Sequence, residues 1–165
     1  MNYLGIDTKT LKPVAKKLNK LLASYHIYYQ NLRSFHWHVK GRSFFDLHNL
    51  FEDFYNDAKV KIDDIAERIL TLGHKPDGSL RTYLNNSKIK ESKDLLKDDD
   101  MARQVLENKS ELIKIMREVI KSASDVNDEG TVDMISGMLS SMEKETWLLH
   151  SWYKRRQVGF AKPKK

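Results

Sequence analysis

Three long stretches of this chain contain no helix breaker: Pro13 to Gly41, Gly41 to Gly73, and Gly78 to Gly130. Inside a helix a glycine costs roughly 1 kcal/mol and a proline roughly 3, so runs that exclude both predict long helices. A β-sandwich would need turn residues roughly every ten positions, and an α/β alternation would need them between each strand and helix. Neither pattern is present. At 165 residues, with 40% hydrophobic and 32% charged side chains, the chain is long enough to bury one core.

Apolar residues place the helices. Leu18, Leu21, Leu22, Tyr25, Tyr28, Tyr29, Leu32, Phe35 and His36 recur at helical spacing from Leu11 onward. They predict a first helix reaching about Val39, with Asp7 or Thr8 as cap and Pro13 tolerated in the first turn. Lys40-Gly41-Arg42 is a turn, and Ser43 or Asp46 is positioned to cap a second helix that closes at Gly73. Its apolar residues are too widely spread for one stripe against one partner, as suits a helix that packs in its bundle and against another subunit. The segment SLRTYLNNS suggests a short helix capped by Ser79, burying Leu80, Tyr83 and Leu84. A third helix begins at Asp98-Asp99-Asp100, acidic residues suited to a helix N-terminus, and breaks at Asp125 to Gly130. The fourth runs through Val132, Ile135, Leu139, Met142, Trp147, Leu148 and Trp152. The expected fold class is all-α: a ferritin-like four-helix bundle with a short helix in the long crossover between helices two and three.

The second helix carries the chemistry. His48 and Glu52 are four residues apart, as are Asp63 and Glu67, so each pair shares a helix face. Imidazole and carboxylate are common ligands for iron, zinc and manganese. From His48 to Asp63 a straight helix rises roughly 22 Å, whereas metal–ligand bonds are only about 2 Å long. The two pairs therefore cannot grip one ion within a single chain. They form two unrelated sites, or an antiparallel neighbour brings its Asp63 and Glu67 against His48 and Glu52. Carboxylates at this spacing also simply solvate helix faces, and Lys59 and Lys61 nearby fit that reading. His38 lies about 200° round the helix from His36 and makes no chelate with it; His26, His74 and His150 read as structural.

The net charge of +6 has a definite place. Lys154, Arg155, Arg156, Lys162, Lys164 and Lys165 face no acidic residue between 154 and 165, and the remainder balances at 23 basic against 23 acidic. The expected division is a helical domain over 1–153 and a basic tail over 154–165. Such a tail either aids solubility or neutralises nucleic-acid phosphates without reading sequence. Cysteine is absent, which excludes disulfides and thiolate metal sites. No run reaches the length of a membrane span and the N-terminus lacks an apolar signal core, so the expected location is cytoplasmic.

His36-Trp37, then FFDLHNLFEDFYNDA, then IDDIAER together resemble the signature of the Dps proteins, the mini-ferritins, and the likeness extends across all four helices. The resemblance implies a di-iron ferroxidase site made by His36, His48 and Glu52 of one chain with Asp63 and Glu67 of a two-fold partner. It implies a hollow shell of twelve subunits that oxidises Fe²⁺ to Fe³⁺, preferentially with hydrogen peroxide, and stores a ferric mineral. It also implies acidic entry pores, for which Asp125, Asp128, Glu129 and Asp133 are candidates, with Asp128 and Asp133 preferred. Asp53 and Asp57 are candidate mineral nucleators, and Trp37 is either a packing residue or a trap for stray oxidising equivalents. DNA is a possible partner through the basic tail. The chain has no Glu-x-x-His, which intrachain di-iron bundles require, and no His-Glu-x-x-His of a zinc protease.

Overall fold

The computed structural model describes residues 4–92 and 97–159, with side chains in the last helix through Arg155. Among these residues there are five helices and no strand: α1 (Lys12–His38), α2 (Phe44–Thr71), α3 (Leu80–Asn86), α4 (Asp98–Ser124) and α5 (Glu129–Gly159). α1 packs on α2 and α4 on α5; the two hairpins join where α1 lies against α4, and α3 rests on α1. This is the expected four-helix bundle with a short helix in its crossover.

The ends of the helices follow local chemistry. Asp7 does not cap α1. Its carboxylate accepts the Lys9 N–H at 3.0 Å and its carbonyl the Thr10 hydroxyl at 2.7 Å, closing the turn before the helix. Ser43 stands at the N-cap position of α2, but its side chain makes no capping hydrogen bond there. Gly73, at φ +77°, ends that helix: its N–H reaches the Leu70 carbonyl while the His74 N–H reaches Ile69. That pairing satisfies two carbonyls of the last turn, and only glycine takes the left-handed conformation freely. Ser79 caps α3 through the Thr82 N–H, as expected.

The core is a continuous apolar cluster that includes Leu18, Leu22, Leu32, Leu47, Phe51, Ile65, Leu112, Met116 and Met142. Two expectations about burial are corrected. In α3 only Tyr83 is buried; Leu80 and Leu84 are 76% and 51% exposed, because seven residues offer one narrow face to α1. In α5 Leu149 continues the buried stripe, whereas Trp147 and Leu148 face outward.

The crossover is tied to α1 by polar side chains. Asn19 donates to the Lys75 carbonyl and accepts the Asp77 N–H, Ser24 accepts the Lys88 N–H, and Asn31 brackets Lys90 and Ser92. Backbone groups of an irregular segment need partners when covered, and these side chains supply them. The His26 ring stacks on Tyr83 at 3.8 Å and holds α3 in place.

Candidate metal centre

The turn between α1 and α2 folds the end of one helix onto the start of the next, which brings His36 beside His48. Their rings stack with centroids 3.8 Å apart. The Nδ1 of His36 lies 2.8 Å from the His48 carbonyl, and the Nδ1 of His48 lies 2.9 Å from the His36 carbonyl. A carbonyl only accepts, so each Nδ1 carries its proton and donates. Both rings are thereby held in the tautomer that leaves Nε2 with a free lone pair, the state a metal ligand needs.

One turn along α2, Glu52 completes a group whose candidate ligand atoms lie within 4.8 Å of one another. All three residues are half-buried, reachable by an ion yet partly shielded from water. The Tyr55 hydroxyl donates to Glu52 Oε1 at 3.3 Å, and the Tyr55 ring meets His36 edge-on at 5.4 Å. Phe44 stacks on the outer side of His48 at 4.9 Å. Sequence patterning did not single out Tyr55 or Phe44. Tyr55 lies three residues beyond Glu52, a helical neighbour, and that spacing was the available signal.

Two imidazoles and one carboxylate are a donor set that suits a first-row metal ion such as iron, zinc or manganese. Asp63 and Glu67 are exposed and lie further along the same unbroken α2, away from the cluster. Trp37 is 56% exposed, with the Arg33 guanidinium over its ring at 4.8 Å. His38 bonds the Ser34 carbonyl and stands apart from His36.

The acidic residues between α4 and α5 divide into two kinds. Asp125, Glu129 and Asp133 are exposed, whereas Asp128 is 1% exposed and engaged at both oxygens. Its Oδ1 accepts Arg68 Nη2 at 2.5 Å and the Thr131 N–H at 3.1 Å, and its Oδ2 accepts the Thr131 hydroxyl. That is a helix cap and a buried ion pair, so the geometry ties Asp128 to the fold. Asp53 is exposed, and Asp57 pairs with Lys61 at 2.5 Å. Lys154 and Arg155 project from the last turns of α5, which runs on to Gly159 and carries Arg156 in its backbone. Lys162, Lys164 and Lys165 lie outside the described residues.

A ferritin-like domain matches residues 15–157. The chain is 39% identical to the DNA protection during starvation protein of Porphyromonas gingivalis, over 92% of this chain and 96% of the relative. The crystal structure of the Dps protein from Vibrio cholerae superposes with a TM-score of 0.89 at 38% identity, covering 92% of this chain and 96% of the other. The chain belongs to the Dps family. The Vibrio cholerae protein is described as a member of a broad superfamily of ferritin-like diiron-carboxylate proteins, and the His36–His48–Glu52 cluster fits that chemistry in donor type and spacing. Dps from Staphylococcus aureus has the same fold, with a TM-score of 0.84 at 34% identity over 86% of this chain and 95% of the other. Iron binding, iron storage and DNA protection are properties at the level of this family. No helix among the described residues is long and apolar enough to cross a membrane.

Proposed function

We propose that this Dps-family protein is a ferroxidase and iron store whose di-iron sites form between two copies of the chain. The observation that carries the reading is the one face of α2 on which Phe45, His48, Glu52, Val60, Asp63, Glu67 and Leu70 fall, at about 100° per residue. Phe45, Val60 and Leu70 are 77%, 59% and 56% exposed, an apolar stripe that a single chain leaves uncovered. A two-fold axis crossing α2 between Asp57 and Ala58 sets His48 opposite the partner's Glu67 and Glu52 opposite the partner's Asp63. The same axis sets Phe45 opposite the partner's Leu70. One symmetry operation thus completes the ligand set and covers the apolar residues.

Iron is the substrate. His36, His48 and Glu52 of one chain with Asp63 and Glu67 of its partner would hold two Fe²⁺ ions loosely and favour the harder Fe³⁺ once electrons leave. Each Fe²⁺ gives one electron; hydrogen peroxide takes both with two protons and leaves as two waters. Two ions side by side allow that without releasing hydroxyl radical. The oxidised iron would pass to a mineral inside a closed shell, twelve chains in the family's arrangement. Asp125, Glu129 and Asp133, being exposed, are better placed than Asp128 to line an entry pore, and Asp53 to receive iron for mineral growth. Stopped-flow oxidation of Fe²⁺ with peroxide and oxygen added separately tests the reading. Wild type is expected to prefer peroxide and consume two Fe²⁺ per peroxide, with Asp63→Ala no faster than buffer; oxidation undiminished in the variant contradicts it.

A second reading, sequence-independent DNA binding through the C-terminal segment, is supported by exposed Lys154 and Arg155 at the end of α5. A gel shift with and without residues 154–165 tests it: unchanged binding on truncation removes that segment from the mechanism.

A further inference from the structure

The four helices of the bundle do not close evenly. Within each hairpin they pack tightly, whereas α2 and α5 stand further apart and leave a cleft between them. The two helices run antiparallel: Arg68, near the end of α2, meets Asp128, just before α5 begins. Continued along the cleft, that register sets Phe54 opposite Glu145 and Asp46 opposite Trp152. These four side chains line one cavity of about 220 Å³, whose walls between them include Leu47, Leu50 and Leu149. From the level of Asp46 to that of Phe54 the helix rises about 12 Å. The cavity is thus an apolar trough with a carboxylate and an aromatic ring at each end.

One end already holds an alkylammonium. Lys109, fully buried on α4, sets its Nζ 3.8 Å from the centre of the Phe54 ring and 2.5 Å from Glu145 Oε2. An aromatic face beside a carboxylate suits a cation on a hydrocarbon stem, through the ring quadrupole and a charge-assisted hydrogen bond. Lys109 occupies one oxygen of Glu145, and a carboxylate has roughly four acceptor positions, so Glu145 can take a second donor from the cavity. Asp46 and Trp152 repeat the pairing at the other end, where the chain supplies no lysine. Asp46 is exposed and has no ion pair among the described residues.

We propose that this trough is a binding site for an aliphatic diamine, with one ammonium between Asp46 and Trp152 and the other between Glu145 and Phe54. The hydrocarbon lies along the leucines and leaves water as it binds. The cavity is smaller than the roughly 300–1,000 Å³ of sites for drug-sized ligands, which suits a slender chain. An anion would meet two carboxylates, and a neutral chain would cover Asp46 without pairing it. The site shares no residue with the His36–His48–Glu52 cluster and does not depend on the ferroxidase reading.

The test is a calorimetric titration of the full chain at low salt with hexamethylenediamine, hexylamine and hexanediol. Wild type is expected to bind one diamine per chain, about ten-fold more tightly than hexylamine, and to give no binding heat with hexanediol. Asp46→Asn keeps the shape of an exposed side chain and removes its charge. This variant is expected to bind the diamine about ten-fold more weakly, at the level of hexylamine. The comparison of the three ligands on wild type stands whether or not Asp46→Asn assembles normally. A diamine that wild type does not bind, or binds no better than hexanediol, overturns the proposal. Undiminished diamine affinity in a normally assembled Asp46→Asn protein overturns it as well.

Discussion

Each histidine of the cluster gives its Nδ1 proton to the other's backbone carbonyl, so neither ring turns without breaking a hydrogen bond. That mutual lock was not legible in the sequence. His36 and His48 could be matched to ligand positions, but the acceptors are main-chain atoms, and only the close return at Gly41 brings them into range. Tyr55 acts at the same scale. It orients Glu52 through its hydroxyl and braces His36 with its ring, and outer partners of this kind are typically worth ten-fold or more in metal affinity. Tyr55→Phe keeps the ring and removes only the hydroxyl. Fe²⁺ binding measured by anaerobic titration is expected to weaken by about ten-fold with thermal stability unchanged; equal affinity in the variant would show that Glu52 needs no such support.

At the scale of the helices, two buried charges govern how the hairpins fit. Arg68 and Asp128 join α2 to the start of α5, and Gly130 makes room for the guanidinium: a Cβ there would lie 2.8 Å from Arg68 Nη2. Asp128→Ala removes a cap and leaves Arg68 largely buried without its partner, which predicts a loss of about 3 kcal/mol or more in denaturant unfolding. A smaller loss than 1 kcal/mol would mean that the end of α5 is held elsewhere. Lys109, on α4, is fully buried between the rings of Phe54 and Tyr28, with Nζ 2.5 Å from Glu145. Burial outweighs the attraction of Glu145 and lowers its pKa to about 8, with Asp57 opposing and Lys61 adding to the shift. The folded pKa lies below the ordinary 10.5, so the unfolded chain binds the extra proton between those values. Stability from this group therefore rises with pH from about 8 upward. Above 10 the two buried tyrosines, Tyr25 and Tyr28, work the other way, because burial raises their pKa and unfolding lets them ionise. Melting curves at pH 7 and pH 9.5 should show wild type gaining stability relative to Lys109→Met at the higher pH. A gap independent of pH would contradict the shift. The helices themselves were readable from the spacing of breakers and apolar residues. Asn19, Ser24 and Asn31 were not, since a polar residue among leucines gives no hint of the loop it will hold.

For the whole molecule, α2 is a bundle helix that also leaves an apolar stripe of Phe45, Val60 and Leu70 exposed. A single chain carries two imidazoles and one carboxylate at one end of that helix and two further carboxylates beyond its midpoint. Helix rise alone required that these groups meet, if at all, through a second chain, and the family likeness supplied the arrangement. The symmetry of Phe45 with Leu70 about the same midpoint emerged only when exposure was known, because Leu70 follows the apolar spacing of a core residue. Complementation between two inactive variants tests this arrangement most directly. His48→Ala and Asp63→Ala are each expected to lack fast Fe²⁺ oxidation. When the two are unfolded and reassembled together in equal amounts, about half the dimers are mixed, and each mixed dimer contains one site with every ligand intact. Stopped-flow oxidation should then return to about a quarter of the wild-type amplitude. A mixture as inactive as its parents, despite mixed dimers being formed, would contradict a metal centre shared between chains.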